Sequence, residues 1–558
     1  MLDLLDGKYN RDLVHVSQPR QGHAEEKRPR IIYAINNANG AHIAIPNNDL
    51  SSAHHALIER LCYVKQPGGT WVEPALPETA DDINAIRLIM GEQAAEMCAA
   101  MRFLDRTSQF RGKMENRANK RDKVSPYSTE QFVDACGGAK KRRYAAAAQS
   151  LKDSPFELRD AEVSLFTKDE YMAVDENGND KRPRGIQTRD PRYHVALGCY
   201  LHPVENIIYE DINHIFDPSG EHRTVAKGMN LLARGKTIAD MWEQFKDPVG
   251  IGIDAESWDE HQHAKLLKNE QKIYIDRLEG TSHQDHVPPL HTLLRHQLRN
   301  TGKYRGIDGK IKYILNGKRC SGDINTSLGN IINMCTIIYS YLATKGIRYR
   351  LLNDGDDCVL IIENADLEHF MDGFSRWFIQ MGVSMTIDGI YYHLEEIEFC
   401  QAHPVNGPDG WVLVPNPHKR LYSDLITTKD LSCKTIHDKW LGAVAMCGQH
   451  AGSGMPIYQS FYTWLSSGAK PWKPKEGTYY HRYRDDLIEG MNAKHRDVAW
   501  STRMSFFYAY GITPESQLLL EEHFDGLDPP TYSTPRPLIS EMAPMMHLVE
   551  PKWQDRFD

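Results

Sequence analysis

The chain has no stretch near the roughly 18 consecutive apolar residues that a membrane-spanning helix requires, so no helical span is expected among its 558 residues. Its ten cysteines stand singly, with no Cys-x-x-Cys pair. That spacing argues against a zinc module and a disulfide framework, and a reducing, cytosolic setting is the simplest expectation. Met1 to Arg20 shows no basic-then-apolar arrangement, so a secretory signal is not expected there. No period of about 20–50 residues recurs, which sets a solenoid aside. An excess of positive charge is missing as well: 66 Lys and Arg stand against 75 Asp and Glu, a formal net charge of −9. Charge of that sign disfavours a protein that coats nucleic acid nonspecifically.

What is present is a 41% hydrophobic chain, long enough for about three or four subdomains. Basic residues are bunched early, in Arg111, Lys113, Arg117, Lys120, Arg121 and Lys123, then Lys140 to Arg143, then Lys181, Arg182, Arg184, Arg189 and Arg192. A basic lining inside an acidic shell would suit a protein that holds a polyanion in a channel. A solvated surface face accounts equally well for the run from 111 to 123.

The apolar periodicity predicts helices over Asp81–Leu104, Thr129–Cys136, Lys140–Leu151, His263–Leu278, Thr326–Leu342 and Leu367–Met381. Strands are expected at Val249–Ile253, Arg348–Leu352 and Cys358–Ile362. One hairpin is expected over Lys303–Leu315 about Asp308-Gly309, and a second joins Ile397–Cys400 to Trp411–Val414. From Leu421 the pattern turns mostly helical, with Thr513-Pro514-Glu515 a helix start, and the Pro-rich tail from Pro529 reads as extended.

The sharpest chemical signal is a set of carboxylates at strand ends. The apolar run Val249–Ile253 ends at Asp254, and Asp356 and Asp357 leave a Gly355 turn between two apolar strands. Adjacent like charges are costly without a counter-ion, and hard divalent cations with oxygen ligands supply one. If those strands are neighbours, Asp254 and Asp356 can share two Mg²⁺ ions about 3.5–4 Å apart. Gly-Asp-Asp alone is weak, since chance gives it to roughly one chain in ten of this length. Ser321-Gly322-Asp323-Ile324-Asn325-Thr326-Ser327-Leu328-Gly329-Asn330 precedes the long apolar helix. Its small residues would let backbone approach a base pair, or serve simply as a helix cap with small packing residues.

Asp254-x4-Asp259, Ser321-Gly322-x3-Thr326-x3-Asn330 and Gly355-Asp356-Asp357, in that order, resemble motifs A, B and C of positive-strand RNA virus polymerases. With Glu398-Phe399-Cys400-Gln401, the wording is similar to the tombusvirus-like group. Arg182-Pro183-Arg184-Gly185-Ile186-Gln187-Thr188-Arg189-Asp190-Pro191-Arg192-Tyr193-His194 resembles its motif F, and the likeness runs roughly from Phe132 to Asp424.

The resemblance implies an α+β right-hand fold with fingers, an antiparallel palm sheet with helices, and a mostly helical thumb. Residues 1–100 would contribute to the fingers and 101–248 would form them. Residues 249–420 would be the palm, with a fingers insertion near 280–318, and 421–558 the thumb and C-terminal tail. It implies an RNA-dependent RNA polymerase that initiates without a protein primer and copies a positive-strand genome. Asp254, Asp356 and Asp357 would be catalytic Mg²⁺ ligands, with Mn²⁺ able to stand in. Asp259, Ser321 and Asn330 would sense the ribose 2′-hydroxyl, with Gly322 and Thr326 in support. Lys181, Arg184, Arg189 and Arg192 would contact the triphosphate, and Lys168, Lys419 and Arg420 the RNA.

The implied partners are template and nascent RNA, NTPs, and viral replicase and host membrane factors. The implied setting is host cytoplasm, in membrane-associated complexes reached through partners or upstream sequence. Two departures stand out. Thr188 occupies a position where relatives more often carry proline. Between Asp354 and His418 there is no lysine and one arginine, Arg376, so the usual basic residue of motif D is missing and Arg376, His393 or water are left as proton donors. A reverse transcriptase would more often place an aromatic where Asp259 stands, and a decayed RNA-binding scaffold would not need all three core aspartates.

Overall fold

A computed structural model describes residues 13–17, 31–34, 41–43, 49–50, 52–53, 56–57, 92–168, 184–282, 286–306, 309–427, 430–468, 488, 490–530, 532, 538–539 and 543–545. The fold is mixed, with long helices around antiparallel sheets.

At its centre lies a four-stranded sheet in the order Met385–Tyr391, Pro248–Ala255, Asp357–Glu363, Tyr349–Asp354, every neighbouring pair antiparallel. Its apolar runs are nearly continuous because both faces are covered. Ile251, Ile253, Leu351, Leu360 and Ile362 join one core, while Leu352, Val359 and Ile361 join another on the opposite side. Each such aliphatic side chain contributes about 1.5–3 kcal/mol on burial, so the sheet is a rigid frame that can carry crowded acids at its end.

The first core is filled by the helix Thr326–Lys345, whose residues Leu328 to Leu342 are all buried. That helix stops at Gly346, which takes the left-handed conformation at φ 63°. Beside it runs the 26-residue helix Pro191–Phe216, absent from the sequence expectations although Asp190 caps it and Pro191 opens it. The second core gathers the helices Lys434–Gly452, Tyr458–Ser467, Trp500–Tyr510 and Pro514–Asp525. The expected start at Thr513 is present, with its side chain accepting from the Ser516 amide.

A five-stranded sheet lies to one side, in the order Leu13–Ser17, Gly309–Asn316, Arg299–Gly306, Val163–Thr167, Gly185–Thr188. The expected first hairpin is its Arg299–Gly306 and Gly309–Asn316 pair, although Asp308 lies outside the described residues, as do residues 81–91 and most of the tail.

Two expectations need correction. The helix expected over Leu367–Met381 is two pieces, Leu367–Met371 and Phe374–Ile379. Gly373 at φ 68° breaks it, and the Asp372 carbonyl is taken by the Lys345 ammonium at 2.6 Å. The second hairpin pairs Ala402–Gly407 with Gly410–Pro415, not Ile397–Cys400. Cys400 and Gln401 sit at φ 53° and 60°, so the chain turns a left-handed corner where a strand was expected. Among the described residues no helix is long and apolar enough to cross a membrane.

Candidate active site

Strand register brings the acids to one sheet end. Cys358 faces Ile253, Thr386 faces Asp254, and Asp357 faces Asp354. The next residues outward therefore put Asp254 and Asp357 at the same rim. Gly355 adopts φ 89°, a conformation open to glycine at little cost, and lets the turn project Asp356. The Asn353 amide ties the turn from below, donating to the Gly355 carbonyl at 2.7 Å and the Asp357 carbonyl at 3.2 Å.

Withdrawal from water, then Asp356, Asp254 and Asp354, push the Asp357 carboxyl up to about 7. Asp356 is raised too, by partial burial first and by Asp254 and Asp354, against the pull of Arg184. These shifts report a shared electrostatic site. Among the described residues no three carboxylate, histidine or cysteine side chains form a preformed metal cage. The donor set, carboxylate oxygens crowded at one rim, nevertheless suits a hard divalent cation.

The Ser321 loop is stitched to the strand Gly185–Thr188. The Gly322 amide donates to the Gln187 carbonyl at 2.8 Å, and the Ser321 hydroxyl to the Gly185 carbonyl at 3.2 Å. A Cβ on Gly322 would lie 2.6 Å from the Gln187 oxygen, so the approach requires glycine. Thr188 donates to the Gly322 carbonyl at 3.4 Å, a contact that a proline there could not make. Thr326 closes the loop on the Cys320 carbonyl at 2.9 Å. Asn330 is 7% exposed and its side-chain oxygen is buried without a partner; its Cβ lies 3.9 Å from where a Gly355 Cβ would be. Asp259 is pushed up to about 7, by burial first and by Asp356, against Arg319 and Arg184.

The expected phosphate contacts divide. Arg184 is exposed and its charge is felt by both Asp356 and Asp259. Arg189 is placed otherwise. Its side chain is 0% exposed, paired with Asp323 at 2.6 Å, donating to the Ala161 carbonyl at 2.6 Å and to Asn300, and stacked over Tyr193. Arg192 is likewise spent, on Asp160 at 3.0 Å and on Ser150, Ser154 and the Pro155 carbonyl. As placed, both guanidiniums brace the fold, their donors engaged by the protein's own acceptors. Lys181 lies outside the described residues.

Lys168 is half-buried where its amide meets the Arg184 carbonyl, and Lys419 is exposed. Arg420 pairs with the buried Asp424 at 3.2 Å. Of the early basic run, Arg117 and Arg121 converge with the distant Arg277 on the buried Asp211, so part of the run neutralises an internal acid.

Sequence reasoning missed a buried polar layer beneath the loop. Arg319 pairs with Glu270, which also accepts from Asn333 at 3.0 Å, and a Cβ on Gly329 would overlap that pair. Glycine at 329 within a helical pattern is the one signal that could have pointed there.

The fold and site define a mixed helix-and-sheet class in which carboxylates gather at one end of an antiparallel sheet, facing a glycine-bearing loop. A family model described as viral RNA-dependent RNA polymerase matches residues 17–531, wider than the motif-bearing stretch. The chain is 31% identical over 500 residues to the RNA-directed RNA polymerase of Oat chlorotic stunt virus (isolate United Kingdom), covering 86% of this chain and 61% of that protein. It is 31% identical over 507 residues to that of Turnip crinkle virus (89% and 60%), and 33% identical over 507 residues to that of Tobacco necrosis virus (strain A) (90% and 64%). The chain belongs to the viral RNA-dependent RNA polymerase family, and it spans 60–64% of the length of these relatives.

Proposed function

We propose that the chain carries out RNA-templated nucleotidyl transfer from NTPs to an RNA 3′-hydroxyl, in the replication of a positive-strand viral genome. The observation that carries this reading is the meeting of Asp254, Asp356 and Asp357 at one rim of the central sheet. The 3′-oxygen would bond to the α-phosphorus as the bond to the bridging oxygen breaks and pyrophosphate leaves. Bound divalent cations, Mg²⁺ or in its place Mn²⁺, would activate the hydroxyl and offset charge on the leaving group. Asp254, Asp356 and Asp357 would hold those ions, and Arg184 would meet the triphosphate.

Asp259, Ser321 and Asn330 would read the ribose. The unpaired Asn330 oxygen is a ready acceptor for a 2′-hydroxyl, and an Asp259 carboxyl near its midpoint at neutral pH can donate or accept. On this reading the central sheet is the palm, the five-stranded sheet belongs to the fingers and the C-terminal helices are the thumb. Primer-independent initiation, and residence in cytoplasmic membrane-associated complexes through partners, belong to the same proposal.

The test is primer extension by the purified chain on a defined RNA with Mg²⁺ and either ribo- or deoxyribonucleotides. Ribonucleotide incorporation is expected, and Asp356→Ala should abolish it while RNA retention and the melting temperature persist. Full synthesis by that variant ends the proposal. Preference for deoxyribonucleotides would favour a reverse transcriptase instead.

A further inference from the structure

Four aspartates crowd the rim of the central sheet, and one of them is claimed by a cation from elsewhere in the chain. Asp354, directly across the ladder from Asp357, accepts from the Arg234 guanidinium at 2.6 Å. Arg234 sits one turn into the helix Leu231–Trp242, which Asn230 caps through the Ala233 amide at 2.7 Å. Its side chain is 4% exposed, so it does not serve as a surface contact for substrate.

The rest of its fork is fixed as well. Nε donates to the Met229 carbonyl at 3.1 Å, Nη2 also reaches the Ala226 carbonyl at 3.4 Å, and Nη1 reaches Cys400 Sγ at 3.4 Å. Two further contacts set where this helix lies. The Ala226 amide donates to the Asn353 carbonyl at 2.9 Å, and the Asn353 amide to the Thr224 carbonyl at 2.8 Å, so the segment leading to the helix runs along the sheet's outer edge. Gly235 lets the helix press on the hairpin Ala402–Pro415, where a Cβ would stand 2.5 Å from the Val412 backbone.

We propose that Arg234 is a positioning residue that sequesters Asp354. It would leave Asp254, Asp356 and Asp357 as the carboxylates facing the cations, and lock the Gly355 turn to the left-handed corner at Cys400. The inference rests on the polymerase reading above. Without Arg234 the Asp354 carboxylate would be freed directly across the ladder from Asp357, adding a fourth anionic donor at the wrong place. The cations would then be held as firmly or more so, but displaced from the geometry of transfer.

The test compares the full chain with Arg234→Met, Arg234→Lys and Arg234→Met/Asp354→Asn. Three measurements are made on each: the melting temperature, single-nucleotide incorporation with kcat and KM resolved, and Mn²⁺ binding to the free protein by electron paramagnetic resonance. Outer-shell partners of metal sites are commonly worth about 10–100-fold in activity. Arg234→Met is therefore expected to lose kcat by that range with KM for NTP within about threefold, while Mn²⁺ binds no more weakly than in the parent. Arg234→Lys, which keeps the charge but not the fork, should fall between.

The double variant, with no unpaired charge at this point, should recover kcat to within about tenfold of the parent. Unchanged kcat in Arg234→Met, weaker Mn²⁺ binding, or a double variant no better than the single one overturns the proposal. Should Arg234→Met fail to fold, the double variant decides alone by the same tenfold criterion. A parent chain that incorporates nothing overturns the polymerase reading instead, and the Mn²⁺ comparison still judges Arg234.

Discussion

Arg189 offers the clearest contest between motif and structure. The motif places it on a triphosphate; the fold encloses it with Asp323, with both side chains nearly inaccessible at 0% and 3%. Replacing it with methionine would keep much of the bulk but strand the Asp323 carboxylate, which would retain Gln297 at 3.2 Å as a donor. Removing one member of a buried ion pair costs about 3–5 kcal/mol, whereas replacing both members by apolar groups is often neutral. The Ala161 carbonyl would lose its donor as well, worth about 1–3 kcal/mol if no water replaces it. Arg189→Met should thus lower the urea midpoint of the unit carrying the Ser321 loop. Asp323→Leu alone should do the same, and the double variant should recover most of the loss, a coupling of about 2–3 kcal/mol. The assay is urea unfolding followed by near-UV dichroism on the four proteins, with KM for NTP measured in parallel. A folded Arg189→Met variant with an unchanged midpoint and a KM raised more than about tenfold would refute this placement and return Arg189 to the triphosphate.

Asp259, at about 7 in the folded chain against an ordinary carboxyl near 3.8, binds its proton more tightly when folded. Its stabilising contribution is complete below about pH 4 and is lost as pH rises toward 7. The melting temperature of the parent relative to Asp259→Asn should therefore fall from pH 5 to 7 and then level off; a flat difference would contradict the placement. Gly322→Ala puts a methyl between the loop and the Gln187 carbonyl, with backbone on both sides. It should cost about 1–3 kcal/mol and slow ribonucleotide incorporation more than it weakens RNA binding; an alanine variant with parent kinetics and melting would show that the loop does not need this contact.

Much of the fold around the site was legible because its cause is local. The strands beside Asp254 and the Gly355 turn are apolar runs bounded by a break, and they appear within two residues of where the pattern put them. Thr326–Lys345, an unbroken apolar helix, starts at the expected residue and runs three residues past the expected end. Other elements depended on distant partners. The Pro191–Phe216 helix is buried over much of its length, and Gly198 lets the Phe132 ring lie against its backbone, a contact no window along the chain contains. Ile397–Cys400 had the composition of a strand, but the left-handed corner moved the hairpin onward.

Charge was the property the sequence conveyed least. A run of arginines looks the same whether it faces solvent, a polyanion or an internal carboxylate, since the deciding term is desolvation, which belongs to the fold. Arg184 stays exposed beside the acidic rim. Five residues later Arg189 is enclosed, because the strand Gly185–Thr188 lies against the Ser321 loop and Asp323 meets it there. The carboxylates obey the same rule from the other side. Asp354, Asp356 and Asp357 are indistinguishable as letters, yet one is neutralised by a helix 120 residues earlier in the chain and two are left facing outward with raised proton affinity. What separates them is a single buried guanidinium. The acids at this rim are thus assigned by where counter-charge is supplied, and the polarity of the motif alone does not assign them.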